Sequence, residues 1–477
     1  MTEDRLILDA GWLLEPAGTV RRDAAVLVEH GRIRAIENRS ELAGVEVEIR
    51  LGGPDFLVLP GLVNAHQHGR PDDTVNLGIA DAPLECWLVD LLASPEEDPY
   101  RRTLRHTVQL ARAGITTVVH MHSSFPPTAE AYDTELRAVL SGYHDGGIRV
   151  VLAVALRDRG VPVYGDTDKF LTKARAAQGN DLDWLPALPP RDAVFEVIDG
   201  LHDDAAAGRF GDAHIAYGPA GPPWCSDALL AAIAQRSTTS GTIVHTHLLE
   251  TRGERRFGAR EHERGAVGAL ADLGLLSDRL LIAHGVWLDA HDCHLLASSG
   301  VSVVTNPSSN LRLHAGIAPI RELLDAGVNV ALGTDNLTLG GEDEILQDAR
   351  LLRALQRTPE VSDTGIDVGV ILSMATKSGG LAIGRPDVGV LTPGAVGDAV
   401  LINLASRRDA LRIGSDPREL ALASRPTAIS HTIAAGRILV DAGEPVIGPC
   451  RQSVRWPDAS DRKRVEALMP LVRRHYE

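Results

Sequence analysis

Apolar and polar positions follow two rhythms along the 477 residues. Near the start, LILDAGWLL, AAVLVEHGRIRAIE and VEVEIRLGG show the short, alternating texture of half-buried strands. The alternation in AVLVEHGRIRAI breaks at His30-Gly31, which predicts a hairpin turn there. VGVLTPGAVGDAVLINL and TAISHTIAAGRILVDAGEPV, near the end, have the same texture. Gly31-Arg32-Ile33 and Gly436-Arg437-Ile438 give both ends the same hairpin feature. The two ends are therefore expected to build one small β-sandwich domain from residues 1–57 and 385–477, the second segment ending in a helix.

The middle, residues 58–384, has another rhythm. Eight apolar runs recur: FLVLPGLVNA, GITTVVHMH, IRVVLAVAL, AHIAYGP, GTIVHTH, RLLIAHGV, VSVVTNP and NVALGTD. Between them lie segments of helical period, such as RTLRHTVQLARA, ALLAAIAQRSTTS and PIRELLDAG. Continuous apolar strands alternating with helices indicate a parallel sheet covered on both faces. Eight such units predict an α/β fold of the (β/α)8 TIM-barrel type.

Composition narrows the function classes. With 44% hydrophobic and 23% charged residues the chain has an ordinary globular profile. A formal charge of −16 argues against nucleic acid and anionic membrane surfaces as partners, because both favour basic patches. Positive charge is carried almost entirely by Arg, since only Lys169, Lys173, Lys377 and Lys463 are lysines. Cys86, Cys225, Cys293 and Cys450 are scattered and form no C-x-x-C pair. The first residues lack the basic-then-apolar order of a signal peptide, and no apolar run approaches the ~18 residues of a membrane span. A cytoplasmic enzyme, homo-oligomeric by the usual prior, is the expectation.

In a barrel of this type the active site lies at the C-terminal ends of the strands. Run one ends in His66-Gln67-His68, run two in His120-Met121-His122 and run five in His245-Thr246-His247, with Glu250 three residues further on. Runs six, seven and eight end in His284, Asn306 and Asp335. Residues i and i+2 of a strand share a face, so His66 and His68 can both point into the barrel mouth. Two imidazoles there can bind one cation, and His247 and Asp335 could complete a mixed nitrogen–oxygen site. Zinc suits this donor set, and iron(II) or manganese(II) fits it nearly as well. Zinc can lower the pKa of a bound water from about 16 to about 7.

The ordered set PGLVNAHQH, THLLET, LIAHGVWL, TNPSSNLRL and LGTDN resembles the amidohydrolase superfamily, and within it the cytosine/guanine deaminase and triazine hydrolase group. The resemblance spans nearly the whole chain, the split terminal β-domain included. It implies that His66, His68, His247 and Asp335 hold the metal. Spacing within the family favours His247 over its competitor His245, because only His247 is followed at three residues by the glutamate. By the same resemblance Glu250 moves protons between water and a substrate ring nitrogen. His284 orients water or polarises the substrate, and Asp335 doubles as general base. Binuclear members use a carboxylated lysine from strand four, which AHIAYGPAG lacks, so a single metal ion is implied.

Substrate contacts are read more coarsely. Gln67 and Arg70 flank the metal motif, and Trp87 in PLECWLVD resembles the aromatic segment that covers bound heterocycles in this group. His120 and His122 end strand two, while Asn306 and Asn310 resemble the strand-seven segment that shapes the pocket. Arg157 or Arg312 could meet a substrate carboxylate. Asn336, where many relatives have Gly, and His314, where small residues are usual, depart from the group's pattern. The expected activity is hydrolytic deamination of an amino-substituted purine, pterin or pyrimidine. The alternatives are cyclic-amide or triazine-type hydrolysis at the same site, and a non-catalytic barrel, which would show eroded ligands.

Overall fold

The computed structural model describes residues 5–16, 18–124, 126–159, 163–165, 167–178, 188–448 and 454–476. Cys450 lies outside them; Cys86, Cys225 and Cys293 are free thiols. The N-terminal strands are β1 (Arg5–Leu14), β2 (Val20–Glu29), β3 (Arg32–Asn38) and β4 (Ile49–Pro60). Then come β5 (Leu62–Gln67), β6 (Glu96–Glu97), β7 (Ile115–Met121), β8 (Arg149–Leu156) and β9 (His214–Pro219). These lead to β10 (Val244–Leu248), β11 (Leu280–His284), β12 (Ser302–Thr305) and β13 (Asn329–Leu332). The last strands are β14 (Ala399–Asn403), β15 (Ile429–Ala434), β16 (Arg437–Asp441), β17 (Glu444–Pro445) and β18 (Val454–Arg455).

Strands β5 and β7–β13 form one parallel sheet in sequence order, and each of the eight apolar runs supplies one of them. The first run divides, however. Its FLVLP part ends β4, and only LVNA enters the barrel, because Pro60-Gly61 turns the chain between the two sheets. A Cβ at Gly61 would collide with Thr116 and Asp398. The sheet closes between β5 and β13 through side chains: Asn64 Nδ2 donates to Thr334 Oγ1 at 2.8 Å, and the Thr334 amide donates back to Asn64 Oδ1 at 3.1 Å. The Thr334 and Asp335 amides both donate to the His66 carbonyl, at 3.2 and 3.0 Å. These bonds bring the ends of the first and last barrel strands together.

Both termini supply the second sheet, in the order β17-β16-β15-β14-β4-β1-β2-β3. Its two expected hairpins have the same backbone device, with His30 and Gly31 at φ 48° and 74° and Ala435 and Gly436 at φ 46° and 75°. Positive φ at both turn residues matches the twist of the flanking strands. The C-terminal helix Ala459–Tyr476 does not lie on this sheet. Its Val465, Leu468 and Val472 pack with Val89 and Phe170 at the barrel mouth. β18 pairs there with β6, and the Tyr164 amide donates to the Tyr476 hydroxyl at 2.9 Å. Among the described residues no helix is long and apolar enough to cross a membrane.

Candidate active site

Six side chains named from the sequence meet at the C-terminal end of the barrel. Nitrogens of His66, His68 and His247 lie within 4.8 Å of one another, as do ligand atoms of His66, His284 and Asp335. The rings of His68, His247 and His284 surround that of His66 at centroid distances of 5.0, 5.1 and 5.3 Å. Asp335 Oδ1 sits 3.3 Å from His66 Nε2 and 3.1 Å from His68 Nε2. Gly333 makes room for this approach, since a Cβ there would strike Asn306 Oδ1 and His66 Cβ.

Backbone carbonyls, which can only accept, define which ring nitrogen carries the proton. His68 Nδ1 donates to the Met121 carbonyl at 2.8 Å, and His247 Nδ1 donates to the Ala220 carbonyl at 2.8 Å. Their Nε2 lone pairs therefore face each other, 3.4 Å apart. Burial holds His66, His247 and His284 below the usual imidazole range, in the neutral form a cation binds. His66 Nε2 and Asp335 Oδ1 are both buried without a hydrogen-bond partner. Lone pairs converging on one point without a proton between them are unfavourable unless a cation sits among them. The residues present thus fit a divalent metal ion.

Around this point stand the other groups. Glu250, 4% exposed, has an unpartnered Oε1 that lies 3.6 Å from His284 Nδ1. Burial, reinforced by the charges of Asp335, Glu254 and Glu85, pushes its carboxyl well above the usual range. Neighbouring Glu254 is pushed up to about 7, mainly by burial, and accepts the Glu250 amide at 2.8 Å. His284 Nδ1 donates to Asn310 Oδ1 at 2.9 Å, which leaves its Nε2 free for the site.

These groups open into a cavity of about 730 Å³, large enough for a nucleoside-sized molecule. His68, His247, Glu250, His284 and Asp335 form its floor, and Arg70, Trp87, His122 and Arg157 are part of its wall. The Arg70 guanidinium lies 5.4 Å from the Trp87 ring centroid and is lowered to about 10, mainly by burial. His122 Nε2 is 3.3 Å from Glu135 Oε1.

Three expected substrate contacts do not line the cavity. Gln67 Nε2 donates to the Tyr143 hydroxyl at 2.7 Å, and His120 Nδ1 lies 3.1 Å from the same hydroxyl. Both residues follow the strand period to the outer face, opposite the metal-facing side chains. Asn306 Nδ2 sits 3.3 Å from His284 Nδ1, behind the ring. Arg312 is saturated by Asp73, Asp81 and the Thr338 carbonyl, and His314 is exposed. Asn336 has a different use. Its Oδ1 accepts the amides of His68 and Arg70 at 2.7 and 3.0 Å, and its Nδ2 donates to Asp343 at 2.6 Å, so it pins the loop that carries the metal motif.

The whole of this site falls within residues 57–439, which match the amidohydrolase family. The chain belongs to that family. It is 30% identical to the 5'-deoxyadenosine deaminase of Methanothermobacter thermautotrophicus, over 93% of this chain and 95% of that one. It is also 30% identical to the 5-methylthioadenosine/S-adenosylhomocysteine deaminase of Thermococcus kodakarensis, over 89% and 91%. Among solved structures it resembles the atrazine chlorohydrolase of Arthrobacter aurescens TC1 complexed with zinc. That match has a TM-score of 0.75 and 25% identity, and covers 98% of this amidohydrolase and 100% of the other chain.

The supporting roles of two residues were not read from the sequence of this amidohydrolase. Ser309 Oγ donates to Asp335 Oδ2 at 2.6 Å and orients the carboxylate. His245 Nε2 contacts His66 Nδ1 at 2.7 Å. Both bonds span elements far apart in sequence. Only the second had a signal, the H-T-H spacing that places His245 on the same strand face as His247.

Proposed function

We propose that this amidohydrolase is a hydrolytic deaminase of an amino-substituted nitrogen heterocycle, with an adenine-type nucleoside foremost, working with one zinc ion. The observation that carries this reading is the buried, unpartnered Glu250 carboxyl beside a site of converging imidazole and carboxylate lone pairs. The adenosine-type substrates named for the 30% identical relatives favour the same bond.

His66, His68, His247 and Asp335 would hold the cation, which when bound lowers the pKa of a water toward neutrality. Asp335, aided by His284, accepts one proton of the attacking water as its oxygen adds to the ring carbon. Glu250 gives its proton to the adjacent ring nitrogen and so relieves the charge that develops there. The hydroxyl proton of the adduct then returns to Glu250, and the proton on Asp335 passes to the amino group. The C–N bond breaks and ammonia leaves, with both acids back in their starting forms. Each proton transfer of this kind contributes ~10²–10⁴-fold. Trp87 stacks on the ring, while Arg70 and His122 meet its polar edge.

The test is a panel of aminated purines, pterins, pyrimidines and triazines assayed for ammonia release by the zinc-loaded protein. Turnover of adenine-type nucleosides is expected. Ring opening or chloride displacement without ammonia would favour the second reading, a triazine-type or cyclic-amide hydrolase, which the atrazine chlorohydrolase likeness supports.

A further inference from the structure

His245 lies one step below His247 on the inward face of β10, so the H-T-H segment offers two candidate ligands. The geometry uses them differently. We propose that His245 is a positioning residue that holds the His66 imidazole in the one tautomer able to bind a cation.

The argument starts from an acceptor. His245 Nδ1 is 3.1 Å from the Leu281 carbonyl, and a carbonyl can only receive a hydrogen bond, so the proton is on Nδ1. His245 is fully buried, its Nδ1 faces a neutral carbonyl and its Nε2 faces another imidazole, so the ring is neutral and its Nε2 is a lone pair. That lone pair lies 2.7 Å from His66 Nδ1, which must therefore carry the proton of this bond. With its single proton on Nδ1, His66 presents a bare Nε2 at the point where Asp335 Oδ1 stands 3.3 Å away.

Each of the three imidazoles thus has its tautomer set from behind, but by different means. His68 and His247, nearer the cavity, take it directly from the carbonyls of Met121 and Ala220. His66 takes it from the Leu281 carbonyl through His245, a chain that crosses the barrel from β11 to β10 to β5. Both nitrogens of His245 are consumed by this chain, so it is not itself a ligand. Partners of this kind, behind a metal-binding imidazole, fix its orientation and raise its basicity.

The inference rests on His66 being a metal ligand, and the experiment separates the two claims. Zinc affinity of the metal-free protein is measured by chelator competition for the wild type, His245→Leu and His245→Gln. The leucine variant is expected to bind zinc ~10–100-fold more weakly, the range for losing such a partner. The glutamine variant offers an amide oxygen to the His66 Nδ1–H and is expected to recover most of that loss. A leucine variant as tight as the wild type, or a folded glutamine variant as weak as leucine, overturns the positioning role alone. A wild type with no zinc affinity overturns the metal reading and this inference with it. If neither variant folds, neutron diffraction from the wild type decides the matter. Deuterium on Nδ1 of both His245 and His66 supports the chain, and deuterium on His245 Nε2 overturns it.

Discussion

Replacing Glu250 with Gln should slow the enzyme and stabilise the fold at the same time. The amide has nearly the shape of the acid, so packing at this 4% exposed position is preserved while the transferable proton is lost. If Glu250 delivers the proton that the ring nitrogen needs, kcat should fall ~10²–10⁴-fold, equivalent to about 3–5 kcal/mol of barrier, with little change in KM.

Stability moves the other way. Burial raises the Glu250 carboxyl in the fold above its ordinary value of 4.5. The unfolded chain therefore releases this proton first, and the native state of the metal-free protein loses stability as pH rises from 4.5 to the raised value. Each tenfold difference in that ionisation equilibrium costs about 1.4 kcal/mol. The Gln variant escapes the loss. Metal-free Glu250→Gln should melt with the wild type near pH 4 and above it at pH 8, by calorimetry. A variant that is slow and also less stable at pH 8 would refute the buried-acid account, because its defect would then be structural. A variant that retains full kcat would refute the proton-donor role.

Four further outcomes are expected. Chelation should abolish hydrolysis and lower the melting temperature, and zinc at 100 times its Kd should restore about 2.7 kcal/mol of stability, read by calorimetry. Ser309→Ala removes a donor to the ionised Asp335, worth about 1.5–3 kcal/mol, so kcat/KM should drop roughly 10- to 100-fold with the circular dichroism unchanged. Asn336→Gly keeps a backbone conformation that glycine adopts freely, at φ 55°, but frees the His68 and Arg70 amides; steady-state kinetics should show a raised KM in a fold as stable as the wild type. Trp87→Leu removes a stacking surface worth about 0.5–1.5 kcal/mol, so KM for the heterocycle should rise roughly 2- to 10-fold with kcat nearly constant.

The barrel was legible because its strands are buried on both faces and read as continuous apolar runs, while the terminal strands betrayed themselves at two matching hairpins. What the pattern concealed was a junction. FLVLPGLVNA reads as one strand, yet β4 extends through Phe56–Pro60 in the terminal sheet and the barrel begins only after Gly61. The inward-facing site residues could be read from strand ends and period, and the same period, applied strictly, would have turned Gln67 and His120 away from the cavity. Ser309, Asn336 and His245 act through contacts with residues 26, 268 and 179 positions away, and no local pattern announces such partners. The C-terminal helix has no counterpart signal either, since its apolar side fits either sheet or barrel, and it is held at the mouth by long-range contacts: the β18–β6 pairing, the packing on Val89 and Phe170 and the Tyr164–Tyr476 hydrogen bond.

Part of the backbone strain of this fold lies where its chemistry does. Leu249, His284, Asp335 and Asn336 all hold positive φ, between 52° and 72°, just after the end of β10, at the last residue of β11, or in the turn that follows β13. Side chains other than glycine occupy that region at a cost of about 1–3 kcal/mol each. The same few residues adjoin the buried, unpartnered atoms His66 Nε2, Glu250 Oε1 and Asp335 Oδ1. A core selected for stability alone would place glycine at the turns and satisfy the lone pairs within itself. Here the left-handed turns carry Asp335 and His284 onto the point where the lone pairs of His66 and His68 already aim. The surrounding fold offsets the backbone strain, while a cation among the lone pairs and a substrate against Glu250 would satisfy the buried polar atoms.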